Sequence, residues 1–460
     1  MINGCPECLK KQRLIDALQE ENQRLKQKLR YQERKNQEGF FGSSTPSSQI
    51  PLKPHRREGG RKPKGARPGH LGRGRPGPDL VTGQQQSRVV GSIGGVCPQC
   101  GSPLVDKGYT ERLVMESRPF RAAPLIYWLP KRYCPKCRRS FQPLAPGVLP
   151  KNLYGNQLMA NAATMHYLHG IPLGRVCEQL QGNPGTLIDC FHRMARLFAP
   201  VLAKLIELYR QSPVKHADET GWRTDGRNGY VWLFATTSIS LFVFRQTRSG
   251  KVPQALLGNQ PLPGTLVVDR YAGYNQAPCP LQYCYAHLLR EVQDLEKDFS
   301  DSGEVQTFVS VLAPLLAAAM SLRKQPLTDA EFYRKAAEIK AQIITTVETP
   351  ALHLAIRHIQ DLFRDNAHRL YHWAQDRQIP AENNLAERDL RPTVIARKIS
   401  FGSASDAGAQ TRGTLMSVLY SLKKQNVDVT QHLKAALDQL AADIHQDPFL
   451  LLFSTIPKPP

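Results

Sequence analysis

Hydrophobic positions along this chain change period several times, and each change marks an element boundary. Residues 10–35 contain neither Gly nor Pro, and Ile15, Leu18, Asn22, Leu25 and Leu29 follow alternating steps of three and four. That spacing lays one apolar seam along a helix, and Asn22 at a central a position favours a parallel, in-register dimer. Fewer than four heptads are marginal alone, so an amphipathic helix docked on its own chain fits the same residues. Periodicity vanishes over residues 39–90, where Gly, Pro, Ser and Arg dominate. A chain of that composition cannot bury a core.

A helical period returns between residues 153 and 210, broken at Gly170-Ile171-Pro172 and at Asn183-Pro184-Gly185. A medium helix, a turn and the longer helix "TLIDCFHRMARLFAPVLAKLIELYRQ" fit a helix-turn-helix, and two plain packing helices would look the same. From residue 213 the period becomes two. "VKHAD" reads as a short strand, "GYVWLFATT" and "LFVFRQT" as a hairpin, "VPQALLG" as a brief helix and "TLVVD" as a buried strand ending at Asp269. "YCYAHLLREVQDL" is a last strand running into a helix. Three antiparallel strands followed by alternating helix and strand predict a ribonuclease-H-like α/β sheet with helices on both faces. In that arrangement the first and fourth strands are parallel neighbours, and Asp218 and Asp269 meet at their C-terminal ends.

The expected organisation is therefore multidomain: a coiled-coil helix at 1–38, a basic linker at 39–90, a zinc-ribbon-like domain at 91–150 and a helical, DNA-binding region at 151–212. The ribonuclease-H-like catalytic core occupies 213–290 and 381–445. A long helical insertion at 291–380 interrupts it, and 446–460 is a tail. Within the insertion, "SGEVQTFVSVLAPLLAAAMSLRK" and "TDAEFYRKAAEIKAQIITTVE" are amphipathic and able to pack on each other.

Charge narrows the function. The chain carries 61 Lys+Arg against 39 Asp+Glu, a net of +22, and a protein that basic meets a polyanion. Residues 1–90 hold 19 Lys+Arg and 8 Asp+Glu, so half the excess sits in an arm suited to phosphate backbone. Within it Arg73-Gly74-Arg75-Pro76 has the form of an AT-hook core, with two Arg side chains for a narrow minor groove. A solvated basic linker has the same composition. The longest apolar stretch, "VLAPLLAAAM" at 311–320, falls short of the roughly 20 residues a span needs, so no membrane contact is expected. "MINGCPECLKK" lacks the apolar core of a secretion signal, so the expected location is the cytoplasm, on the nucleoid when DNA is bound.

Ten cysteines without a secretion signal suggest metal ligation over disulfides. Cys97 and Cys100, then 33 residues, then Cys134 and Cys137, form two knuckles that complete a tetrahedral structural Zn2+ site with no open position. Cys5 and Cys8 have no visible partner pair.

Asp218 and Asp269, a few ångströms apart, could not both stay ionised without a cation or proton between them. Oxygen-only ligation suits two Mg2+ (or Mn2+) ions, which serve phosphodiester chemistry with a third carboxylate. Spacing alone leaves Glu219, Glu291, Glu382 and Glu387 open as that third group.

Four blocks in order carry a specific resemblance: "HADETGWR", "VVDRYAGYN", "CYAHLLREVQDL" and "IPAENNLAERDLRPTVIARKISFGSASDAGAQTRGTLMSVLYSLKKQ" at 379–425. The chain resembles the TnpC-type DDE transposases of the insertion sequence sixty-six family of bacterial mobile elements, from the amino-terminal helix to about residue 440. The resemblance implies Asp218, Asp269 and Glu387 as the metal-binding triad. Tyr285 and Leu289 depart from the Trp and Arg of that family's "CWAHxRR" block, and Leu289 removes one phosphate contact. On a helix starting near Glu382, Asn383 and Asn384 lie one turn before Glu387 and Arg391 one turn after, a face fit for phosphate. Arg391 and Lys398 are its DNA-contacting candidates. His287, as a contact to DNA or to metal-bound water, joins Asn383 and Asn384 as accessory candidates, although a core histidine would read alike. Glu219 is expected on the opposite face of its strand.

The implied activity is cleavage at terminal inverted repeats followed by strand transfer into target DNA. The implied partners are double-stranded DNA, further copies of this chain as a dimer or higher oligomer, and accessory proteins of the same element. A structure-selective nuclease and a catalytically silent zinc-containing DNA-binding protein are the rival readings.

Overall fold

A computed structural model describes residues 145–150 and 152–453, with isolated positions and short runs between 11 and 143. Residues 1–45 and 121–460 group into one unit and 46–120 into a second, which lies outside the described residues except for Pro103. Arg73, Arg75, Cys97, Cys100 and Cys137 are therefore outside them, as are Ile15 and Leu29 of the amino-terminal seam. Residues 18–23 are helical, with Leu18 and Leu25 exposed. Cys134 ends strand β1 (Arg132–Cys134), which pairs antiparallel with β2 (Arg139–Phe141).

The centre is a five-stranded mixed sheet. Strands β3 (Val214–Thr224), β4 (Arg227–Ala235) and β5 (Ser240–Arg245) are antiparallel; β6 (Thr265–Val268) and β7 (Leu281–Tyr283) add parallel to β3, in the order β5-β4-β3-β6-β7. Strand β3 runs six residues beyond the "VKHAD" expected from its pattern, pairing through Thr224↔Arg227. The cause is the turn Asp225-Gly226, both at positive φ (52° and 69°), the conformation of a two-residue hairpin whose twist matches its strands. Asp218 consequently sits inside a long strand, supported by Leu233 across β4, where a strand terminus was expected.

Helix α1 (Asn156–Ala163) continues into a wide turn at Thr164–Leu168, followed by α2 (Leu173–Leu180), α3 (Pro184–Leu197) and α4 (Ala199–Gln211). The single long helix expected after Asn183 is two, divided at Phe198 with Pro200 in the first turn of α4, where a missing N–H does no harm. Asn183 caps α3 by accepting from the Thr186 N–H at 3.2 Å, and Gln181 takes the left-handed conformation that ends α2. Three residues thus separate α2 from α3.

The other helices are α5 (Lys251–Leu257), α6 (Tyr285–Asp298), α7 (Gly303–Leu322), α8 (Asp329–Glu348), α9 (Leu354–Asp365), α10 (His372–Gln375), α11 (Asn384–Ser400), α12 (Asp406–Lys423), α13 (Val429–Ala442) and α14 (Pro448–Phe453). Helix α12 covers the outer edge of β5. Its Ser417 and Ser421 hydroxyls accept the N–H groups of Phe242 (2.8 Å) and Ser240 (3.1 Å), satisfying donors that an open edge would expose. The amino-terminal helices lean on the same partner: Tyr420 donates to the Leu168 carbonyl at 3.0 Å, and Arg412 donates to His166 Nε2 at 3.0 Å.

Helix α7 corrects the apolar-length expectation. Over an 18-residue stretch its mean hydropathy is 1.8, which meets the length and composition of a membrane span. It packs against α6 and α8, burying Val305, Phe308, Leu312, Leu316 and Ala319, with 39% of that apolar stretch buried.

Candidate functional site

The parallel register of β3 and β6 pairs Val214 with Thr265 and His216 with Val267. Continued by two residues, it sets Asp218 opposite Asp269. Asp218 and Glu219 are neighbours on β3, and the charge of Glu219 acts on Asp218 and feels Asp269 in turn. Asp218 accepts the Glu219 N–H at 2.8 Å, and Asp269, just past β6, accepts the Tyr271 N–H at 2.9 Å. Burial holds the Asp218 carboxyl well above the usual carboxylate range, reinforced by the charges of Glu219, Asp269 and Glu387. Four acids therefore share one electrostatic neighbourhood, and a cation would relieve their repulsion.

Glu387 stands in the first turn of α11, its N–H bonded to the Asn383 carbonyl at 3.2 Å. Its Oε1 is buried with no hydrogen-bond partner. A buried, unpaired carboxylate oxygen is costly, and a metal ion is one of the few partners that would satisfy it.

Asn383 is where the structure departs most from the sequence reading. The helix begins at Asn384, and Asn383 before it is buried rather than turned toward a phosphate. Its side-chain amide donates to the Ala217 carbonyl at 2.8 Å, its Oδ1 meets His216 Nδ1 at 2.8 Å, and its N–H donates to Cys284 Sγ at 3.1 Å. One residue thus joins α11 to β3 beside Asp218 and to the start of α6. Tyr285 reinforces the junction by donating its N–H to the Ala381 carbonyl at 2.8 Å. Asn384, Arg391 and Lys398 are exposed. Arg397 was not read from the sequence: it is buried, donating to the Gly221 carbonyl at 2.6 Å and Thr220 Oγ1 at 3.1 Å, which ties α11 along β3. Its only sequence signal was an Arg ten residues after Glu387.

The other acidic candidates have cationic partners of their own. Glu219 is buried and accepts from Arg248 Nε (2.9 Å) and Nη2 (2.7 Å) on one oxygen and from the Tyr274 hydroxyl (2.5 Å) on the other. Burial, then the Asp269 charge, raises its carboxyl, while Tyr274 and Arg248 pull it back. Glu382 pairs with Lys324 at 3.0 Å, and Glu291 with Arg270.

Beside Asp269 opens a cleft of about 300 Å3, lined by His287, Tyr271 and the guanidinium-bearing side chains Arg248, Arg270 and Arg290. Asp269, Glu291 and Asp294 also line it, and Arg248 and Arg270 are already paired with Glu219 and Glu291, so the cleft holds charge of both signs beside Asp269. His287 lies near Asp269 and Glu387, and burial lowers its pKa against the pull of those two carboxylates.

Residues 151–411, which contain Asp218, Asp269 and Glu387, match the family model described as "Transposase IS66 family". Among curated relatives, the uncharacterized protein y4jD of Sinorhizobium fredii is 24% identical over 323 residues, covering 62% of this chain and 62% of its own length. The uncharacterized protein y4hP of the same organism is 22% identical over 445 residues, covering 83% of this chain and 76% of its own length. The chain thus spans less than two thirds of y4jD. With more than half of its residues inside the family model, the chain belongs to the IS66 family of transposases.

Proposed function

We propose that this chain is a DDE transposase with a ribonuclease-H-like core, which nicks DNA at the terminal inverted repeats of its element and joins the freed 3'-hydroxyl to target DNA. The observation that supports this reading most is the parallel β3–β6 register, which carried on by two residues pairs Asp218 with Asp269, while the charges of Asp269 and of Glu387 in the first turn of α11 both act on the half-buried Asp218.

The residues fit divalent cations: their oxygens are hard donors, the Asp218 carboxyl is held uncomfortably among like charges, and Glu387 Oε1 has no other partner. Asp218, Asp269 and Glu387 would hold Mg2+ or Mn2+, which when bound activates the attacking oxygen and stabilises the leaving one. Arg290, which lines the same cleft, would contact the phosphate beside them and help orient its phosphorus for in-line attack. Asn383, Arg397 and the Glu219–Arg248–Tyr274 set hold these groups in place. Water serves as nucleophile for cleavage and the 3'-hydroxyl for joining, so one set of side chains serves both steps.

Several further assignments support the same reading. The basic arm with Arg73 and Arg75, the α2–turn–α3 pair, Arg391 and Lys398 would hold DNA. Cys97, Cys100, Cys134 and Cys137 would hold a structural Zn2+. The seam from Ile15 to Leu29 would dimerise the chain.

The test is incubation of the purified chain with Mg2+ and duplexes carrying the element's ends. Nicks with 3'-hydroxyl termini and joined products are expected. Nicks without joining would point to a nuclease, and DNA binding without either to a silent DNA-binding protein.

A further inference from the structure

Four groups in or beside the site have a buried polar atom without a partner: Arg270, His287, Glu291 and Glu387. Nδ1 of His287 and Oε1 of Glu387 are both sealed from solvent and both without a hydrogen bond. Potential ligand atoms of Cys284, His287 and Glu387 lie within 4.8 Å of one another, the one such group of three among the described residues. Within that trio Cys284, the residue before α6, is already engaged, because its sulfur accepts the Asn383 N–H at 3.1 Å. The imidazole and the carboxylate remain. They are carried by the first turns of two helices, α6 and α11, which the Asn383–Cys284 and Tyr285–Ala381 bonds lock together. His287 also lines the cleft beside Asp269, so it faces the same space as the carboxylates.

Resting on the reading above, we infer that His287 is a direct ligand of the cation held by Glu387, which makes the site mixed oxygen and nitrogen rather than all carboxylate. A packed core histidine would have both ring nitrogens bonded or wet, and this one leaves Nδ1 dry and unpaired beside a carboxylate oxygen in the same state. The consequence is metal choice. Mg2+ takes oxygen ligands and keeps its waters, whereas imidazole binds Mn2+ and the later divalent ions more strongly. The site selects Mn2+ over Mg2+, and His287 is the cause of that selectivity.

The experiment uses the full chain with Mn2+ and no DNA. Electron spin-echo spectroscopy of the bound Mn2+ is expected to show nitrogen modulation that changes when histidine is labelled with 15N. His287→Gln should remove the modulation and weaken Mn2+ binding by about tenfold, with little change for Mg2+. The labelled wild-type chain tests the ligand without any substitution, so an unstable variant does not decide the outcome. Bound Mn2+ that depends on Glu387, shown by its loss in Glu387→Gln, but carries no nitrogen modulation would overturn the role of His287 and leave the carboxylate site standing. Nitrogen modulation that persists in a folded His287→Gln chain would overturn it equally. Mn2+ binding indifferent to Glu387→Gln and Asp269→Asn alike would bring down the metal site itself, and this inference with it.

Discussion

The side-chain amide of Asn383 donates to the carbonyl of Ala217 at 2.8 Å, which pins the start of α11 one residue before Asp218 on β3. The same side chain meets His216 Nδ1, so two buried groups on β3 depend on it. Replacing Asn383 by Leu keeps the volume and removes both bonds. We expect a loss of about 2–4 kcal/mol in stability, since buried groups left unpaired cost about 1–3 kcal/mol each. Cleavage should fall further than stability explains, by about 100-fold, because an ångström-scale shift of Glu387 disturbs the reacting geometry. Urea unfolding and an end-cleavage assay at a temperature where the variant is folded separate the two effects. A variant that is destabilised yet cleaves normally would show that Asn383 holds the fold and not the site.

His166 should impose a pH dependence on stability. Its Nδ1 lies 2.8 Å from the Ile171 carbonyl and its Nε2 accepts from Arg412, an arrangement that requires the neutral ring. Burial, then the Arg412 charge, holds its pKa at about 4 against an ordinary 6.5. Between those values the unfolded chain binds a proton that the folded chain refuses, so stability rises with pH across this window and is lost as pH falls. The full difference is about 3 kcal/mol. His166→Gln should flatten the slope of the urea midpoint between pH 7 and 4.5; an equal slope in both proteins would contradict the assignment.

How much of this was legible in the sequence depended on the range of the interactions. Alternating residues revealed the strands of the sheet, and the positions of Asp218 and Asp269 after "VKHA" and "TLVV" followed from that alternation. The choice of Glu387 came from its resemblance to a known family, because spacing could not distinguish it from Glu219, Glu291 or Glu382. The three rivals are paired with side chains distant in sequence, which spacing could not show: Glu219 with Arg248 and Tyr274, Glu291 with Arg270, and Glu382 with Lys324. Asn383 looked like a surface amide, and its partners on β3 lie 166 and 167 residues away. The extension of β3 was missed because Glu219, Thr220 and Gly221 mimic a strand end, although the Asp225-Gly226 pair announced the real turn.

The cysteine spacing makes a separate claim. Purified chain should carry one zinc, and Cys97→Ser or Cys134→Ser should release it and unfold residues 95–140 while the sheet bearing Asp218 keeps its protection from hydrogen exchange. Carefully prepared protein free of zinc yet folded over that stretch would dispose of the four-thiolate site.

The basic arm predicts a salt effect. Deleting residues 53–78 removes nine Lys+Arg side chains. Affinity for unrelated and element-end DNA should drop alike, with a shallower dependence on salt, because fewer counterions are released on binding. An unchanged slope would mean that this arm does not touch the phosphate backbone.

The central claim is that Asp218, Asp269 and Glu387 form one catalytic carboxylate set while Glu219 only supports it. The most direct measurement is end cleavage in Mg2+ and Mn2+ by four single variants, Asp218→Asn, Asp269→Asn, Glu387→Gln and Glu219→Gln, with DNA binding followed in parallel by gel shift. The first three should bind DNA as the wild type does and lose cleavage by about three orders of magnitude or more, since charge and metal activation vanish together. Glu219→Gln should be milder and show itself as reduced stability, because it loosens Arg248 and Tyr274 without removing a ligand. Cleavage that survives in Asp218→Asn and disappears in Glu219→Gln would contradict the account and transfer the ligand role from Asp218 to Glu219.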